Sequence, residues 1–374
     1  MKFTKAYGLL NGYGVFKNLK QPLSLISNIT SLEQPLAFFC SFSESHRLLL
    51  SDVLDETQWN NLKTYRDSVF IYENCFEPTD YVKLAKEFSE IIITKKINPD
   101  QIYIILADDI QERCLKNELQ KYNLSAIHTD YLTQCLLHTS IPKISNSLPT
   151  VNFSLMSRRF VKDRLLLLCE LINNKLLDEF VYSFHNINPY TKESTSIDSS
   201  DLPLEYQTQE IKDWLQHVPY YVDNTVDNWS EQFSDKMYNA TLKSKIHIVV
   251  ETIFHETIYS YDQQNIVPWI TEKTFKAIAC KKVFLCYSMP GTLTTLQQMG
   301  FKTFEPLINE SYDSIQDPSQ RRKALVQEIK RISELDIDEI NDKLTDITEH
   351  NFKVLVERQH KQWKQDFLDL GLFK

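Results

Sequence analysis

Apolar runs of five to eight residues recur along the first 140 positions, at 35–42, 68–72 and 101–107. Stretches with helical spacing separate them, at 56–65, 81–94 and 110–122. Strands that alternate with helices of 10–15 residues form βαβ units, and βαβ units build a parallel sheet. Residues 138–149, with two prolines and several serines, then read as a linker. A second alternation follows: an apolar run at 151–156, a helix-like segment at 161–177, a run at 180–184, a helical region at 209–215, and strand-like runs at 246–252 and 283–287. The pattern predicts an α/β protein of two domains, 1–145 and 146–374. From about residue 319 the chain is helical and highly charged, and 359–363 is expected on a closing helix that crosses back to the first domain.

Composition limits what those domains do. At 374 residues and 42% hydrophobic content, the chain is long enough for two cores and is no disordered scaffold. A formal charge of −9 argues against a general nucleic-acid binder and still allows a local basic patch. Seven cysteines, scattered and without Cys-x-x-Cys spacing, read as reduced core residues. With no apolar signal core after Met1-Lys2-Phe3 and no run of ~18 apolar residues, the expectation is a cytoplasmic protein without membrane insertion. Glycine is scarce, six in all. Gly8, Gly12 and Gly14 fit either a first βα loop or a hairpin turning at Asn11-Gly12. Gly-x-Gly-x-x-Gly, a Walker lysine loop and His-Glu-x-x-His are all absent from the sequence, so neither a bound dinucleotide cofactor nor a metal is expected.

The chemistry is concentrated between residues 244 and 304. A strand-like run ends at Glu251, and Trp269-Ile270-Thr271-Glu272-Lys273-Thr274-Phe275-Lys276 opens a helix one loop later. A carboxylate leaving an apolar strand suits ribose hydroxyls, while lysines at a helix start, with the helix dipole, suit a pyrophosphate. Thr271 and Glu272 also satisfy ordinary capping, with a hydroxyl cap and an acid at the positive end of the dipole. A second basic stretch follows the run 151–156: Arg158 there is placed to grip two phosphate oxygens, whereas Arg159, Lys162 and Arg164 fit a solvated helix face.

The block from Glu251 through the Thr-Glu-Lys helix start, the run 283–287 and Pro290-Gly291 resembles the donor-binding motif of glycosyltransferase family 10, the fucosyltransferases. It resembles more closely a group of stand-alone bacteriophage and bacterial glycosyltransferases that carry Thr-Glu-Lys-Thr-Phe-Lys and a later Gly-Phe-Lys-Thr-Phe, here Gly300 to Phe304. Ser157 and Asp163 depart from the pattern those proteins show after the earlier strand. The resemblance implies a GT-B fold, two Rossmann-like domains facing a cleft, that transfers a sugar from a nucleotide-sugar co-substrate to a hydroxyl, inverting and metal-independent. It also implies donor contacts from Arg158, Glu251, Thr271, Glu272, Lys273 and Lys276.

An inverting transfer needs a base. Acids at the carboxyl ends of first-domain strands are the candidates, where a doubly wound sheet opens its crevice: Glu44, Glu73 and Asp108. Adjacent Asp108-Asp109 also suggests a metal-binding GT-A motif, although that motif spaces its acids by one residue. The acceptor is either a surface glycan or, following the phage resemblance, a hydroxymethylated base in DNA, with the host cytoplasm as the setting. The competing expectation is a non-catalytic nucleotide- or sugar-binding protein on the same fold.

Overall fold

The computed structural model describes residues 2–7, 36–41, 50–74, 81–106, 109–125, 127–131, 141–142, 149–157, 160–186, 195–222, 235–252, 254 and 268–359. The chain divides into two compact units: Met1–Gln134 with Tyr259–Val267 and His360–Lys374, and Cys135–Ile258 with Pro268–Gln359. The acid Glu44, the pair's first member Asp108, Arg158 and Arg159, the glycine-rich segment and residues 360–363 lie outside the described residues.

In the first unit the order is β1 (Lys2–Tyr7), β2 (Leu36–Ser41), α1 (Glu56–Thr64), β3 (Val69–Asn74), α2 (Tyr81–Lys95), β4 (Ile102–Leu106), α3 (Asp109–Gln120) and β5 (His128–Tyr131). The sheet is parallel throughout and runs β1-β2-β3-β4-β5. Right-handed crossovers that all step the same way put their helices on one face. The core agrees: Phe38, Phe70 and Ile102 lie in one row across the sheet, Tyr72 and Ile104 in the next, and these residues cluster with Trp59, Leu84, Phe88 and Leu115 from the three helices. Val69, Ile71, Tyr103 and Ile105, of the other parity, are buried as well, so the sheet is covered on both faces as parallel sheets are. A doubly wound order was expected here. Among the described strands the order never reverses, a fact that apolar runs do not encode, and the reason for a crevice at this sheet's carboxyl edge falls away.

The second unit contains β6 (Val151–Ser157), α4 (Lys162–Asn173), β7 (Phe180–Phe184), α5 (Gln209–Leu215), α6 (Asp235–Lys243), β8 (Ser244–Val250), α7 (Glu272–Ala279), β9 (Val283–Tyr287), α8 (Thr292–Gln298), α9 (Pro318–Ser333) and α10 (Ile337–Gln359). Its parallel sheet runs β7-β6-β8-β9. The chain leaves β6 toward β7 and leaves β8 toward β9, so the order reverses between β6 and β8, with α4 and α7 on opposite faces. Helix α9 packs on α4, and α10 packs on α7, which completes three layers. Gly291 precedes α8 with φ +80, a conformation that costs a side chain steric strain, and this is why a glycine stands in the Pro290-Gly291 turn. No helix among the described residues is long and apolar enough to cross a membrane.

Candidate functional site

In an open parallel sheet, ligands bind beyond the carboxyl ends of the strands where the order reverses. Here that point lies between the ends of β6 and β8. Strand β8, Ser-Lys-Ile-His-Ile-Val-Val, is central and almost wholly buried, as its branched residues favour. It delivers Glu251, which is 0% exposed.

A carboxylate buried this deeply has to be satisfied by donors. Glu251 Oε1 accepts from the Thr271 amide at 3.0 Å and from Thr274 Oγ1 at 2.7 Å, and Oε2 accepts from Thr271 Oγ1 at 2.5 Å. The Glu251 amide donates to the Tyr287 carbonyl at 3.0 Å, at the end of β9. Its own carbonyl accepts from Arg164 Nη2 at 3.0 Å. One residue thereby ties the first turn of α4, the start of α7 and the end of β9 together. The carboxylate expected at the ribose is turned inward onto α7 with both oxygens engaged. It sets the position of the helix start, a task that the Thr-Glu-Lys spacing alone does not reveal. Arg164, read as a solvated residue, is 4% exposed for the same reason: its guanidinium is drawn inward to a carbonyl.

Thr271 is the N-cap of α7, its hydroxyl accepting from the Lys273 amide at 3.4 Å while donating to Glu251. Lys273 Nζ lies 3.0 Å from Thr271 Oγ1, 3.2 Å from Thr252 Oγ1 and 3.3 Å from Glu272 Oε1, so it curls over the helix start. Its side chain keeps 26% exposure. Burial alone would raise the Glu272 carboxyl, but Lys273 and Lys276 outweigh it and hold the group down to about 2. Glu272 is therefore a fixed negative charge between two lysines, and Lys276, half-buried, stands one turn further along α7. On the opposite face α4 starts differently. Its N-cap is Val161, which offers no side-chain acceptor, so the capping of its first turn is left to other groups.

Further along the same edge are buried residues that sequence reasoning missed. Arg322 donates to Tyr287 Oη at 3.4 Å and to Tyr206 Oη at 3.3 Å, and Arg321 donates to the carbonyls of Gln316 and Phe254. These arginines anchor the start of α9 to the ends of β8 and β9. Their place in a charged helical region gave no signal of burial. Asp313 accepts from the Leu293 amide at 3.1 Å at the start of α8, and burial lifts its carboxyl to about 6 despite the amides and Arg321 opposing it. Glu310 accepts from the Phe304 amide at 2.7 Å and is likewise lifted, to about 7, by burial.

The structure therefore brings Glu251, Thr271, Glu272, Lys273 and Lys276 to one place. Glu73 stands on β3 of the first unit, where its backbone pairs with Ser41 and Ile105. No protein-family model matches the chain, and no curated protein matches it.

Proposed function

We propose that the reversal point of the second sheet binds the diphosphate of a nucleotide-sugar donor and that the protein transfers the sugar to a hydroxyl acceptor. The observation that carries this reading is the partly exposed Lys273 side chain held over the start of α7 at that point. It supports anion binding twice over, through the lysine's charge and through the positive end of the helix dipole. Lys276 adds a second positive charge. In this reading Glu251 is a positioning residue that holds Thr271 and the helix start in place, while Thr271 and Glu272 fix the lysine. The sugar-transfer step and a GT-B arrangement rest on the family resemblance, as does the acceptor, a glycan or a hydroxymethylated DNA base.

Thermal-shift titration with UDP, GDP, CMP and dTDP tests the donor half, because a ligand of the folded state raises apparent stability by mass action. At least one nucleotide is expected to stabilise the protein, and Lys273→Ala to remove most of that effect. With a nucleotide sugar that turns over, Lys273→Ala should cost about 2–4 kcal/mol in kcat/KM, since leaving-group charge grows in the transition state. A folded Lys273→Ala protein with unchanged turnover would sink the proposal. Nucleotide binding without release of nucleoside diphosphate from any nucleotide sugar would leave a binding protein instead.

A further inference from the structure

The start of α4 lies on the other side of the reversal point from α7, and the proposed function leaves it without a task. Beneath it stands Ser157, the last residue of β6. The residue is 1% exposed and its amide donates to Ser183 Oγ at 3.3 Å, yet its own hydroxyl has no hydrogen-bond partner among the described residues. A buried hydroxyl left without a partner costs free energy, and folded proteins keep few of them unless something completes the site. The direction of the side chain follows from register. Ser157 pairs with Phe184, and paired residues of parallel strands point to the same side of a sheet. The Phe184 ring meets Phe160, which directly precedes the N-cap of α4, and Trp214 of α5, which packs on α4. The orphan hydroxyl therefore faces the side on which α4 begins.

The surroundings say what would complete it. Helix α4 runs for 12 residues and its N-cap Val161 makes no side-chain bond, so no cap answers the positive end of its dipole. Asp163 in the first turn accepts from Tyr287 Oη at 3.5 Å and is attracted to Arg321, so its charge is answered within the fold. Arg164 of the same turn bonds the Glu251 carbonyl, and Glu251 in turn holds Thr271, the cap of α7 over which Lys273 curls. One residue thus fixes the two helix starts to each other, at the ends of adjacent strands ~4.8 Å apart. A diphosphate has two anionic groups to place across such an interval. We infer that the Ser157 hydroxyl and the start of α4 take one phosphate of the diphosphate, with Ser157 Oγ donating to it, while Lys273 and the start of α7 take the other. The inference rests on the nucleotide-sugar reading and deepens it with a contact that the family resemblance does not supply.

The test is calorimetric titration of the full chain with UDP, GDP and dTDP and, separately, with inorganic pyrophosphate, beside the melting temperature of the unliganded protein. Ser157→Ala should weaken the best-bound nucleoside diphosphate and pyrophosphate alike, roughly tenfold or more, as loss of a hydrogen bond to a charged group does. Its unliganded melting temperature should stay level or rise slightly, because no internal partner is lost. If Ser157→Ala binds both ligands as the parent does, while Lys273→Ala does not, the α4 half of the site is overturned and the donor reading survives. A fall of several degrees in the unliganded Ser157→Ala protein would also overturn it, since the hydroxyl would then be a structural group. Weakened nucleoside diphosphate with unchanged pyrophosphate would take Ser157 away from the phosphates and overturn it too. No binding of any of these ligands by the parent protein would remove the donor reading and this site with it.

Discussion

The two sheets solve the same packing problem with their best-connected polar residues at opposite ends. In the first unit, Gln101 stands just before β4 and is 4% exposed. Its Nε2 donates to the carbonyls of Leu62, Tyr65 and Ser68 at 2.9, 3.0 and 2.7 Å. It fastens the end of α1 to the entry of β3, at the amino edge of a sheet whose order never reverses. In the second unit the corresponding weight falls on Glu251, just after β8, at the carboxyl edge and beside the reversal. A buried polar hub at the amino edge stabilises and touches nothing a ligand would use. The same device at a reversal point fixes the start of α7, where the proposed site lies, so that stability and the proposed site depend on one residue.

The comparison breaks or sharpens at the hubs first. Glu251→Ala orphans the Thr271 amide and two hydroxyls in a dry site, and should cost about 3–5 kcal/mol, a fall of roughly 10 °C in Tm, with nucleotide stabilisation lost as well. Gln101→Ala orphans carbonyls only and should cost about 2 kcal/mol while leaving any nucleotide-induced shift intact. Equal loss of nucleotide response in both variants, measured by thermal shift with and without ligand, would erase the distinction drawn between the two edges.

A smaller effect comes from pH. Asp313 and Glu310 are carboxyls whose folded values, about 6 and about 7, lie above their ordinary ones. In the folded state they therefore hold protons that the unfolded chain has released. Their contribution is present below about pH 4 and is lost as pH rises through 6 to 7. The second unit should therefore lose stability between pH 5 and 8 as these two groups ionise. Asp313→Asn should flatten that decline in chemical denaturation across this range. A decline of unchanged slope in Asp313→Asn would place the titration elsewhere. His247 acts with the opposite sign: burial, aided by Lys282 and Lys276, holds its imidazole down to about 3, so its neutral form favours the fold and this support fades as pH falls below the ordinary histidine range.

Much of the architecture was legible because parallel strands buried on both faces carry continuous apolar runs. The runs at 180–184 and 283–287 and the helix at 209–215 coincide with β7, β9 and α5. Strands β1, Lys-Phe-Thr-Lys-Ala-Tyr, and β5, His-Thr-Asp-Tyr, gave no such signal. Among the described strands they are the two edges of the first sheet, where one side has no described partner and polar residues are favoured, so the apolar run that marks an interior strand is missing. Helix α6, Asp235–Lys243, was also missed, its sequence carrying only scattered apolar residues. At the candidate site, the sequence pointed to residues that the structure gathers at the start of α7, but not to the direction of the Glu251 carboxylate. That direction depends on the start of α7 meeting the end of β8, and no local pattern reports such a meeting. Arg164, Arg321 and Arg322 were hidden for a related reason: guanidiniums that bond carbonyls and phenols look, in sequence, like those that face water.

The order of the strands also governs when each unit comes into being. In the first, every strand pairs with the one before it, so contacts are local and each βα step can add to the last as the chain emerges from synthesis. In the second, β6 must wait for a partner far downstream, Val151 meeting Ser244 across the whole of β7, α4, α5 and α6, and closing so long a loop is entropically costly and slow. Until β8 arrives, one side of β6 is an open hydrogen-bonding edge, a template for the wrong strand. The arrangement that creates the reversal point thus leaves that edge waiting for a distant partner, open to misassembly while it waits.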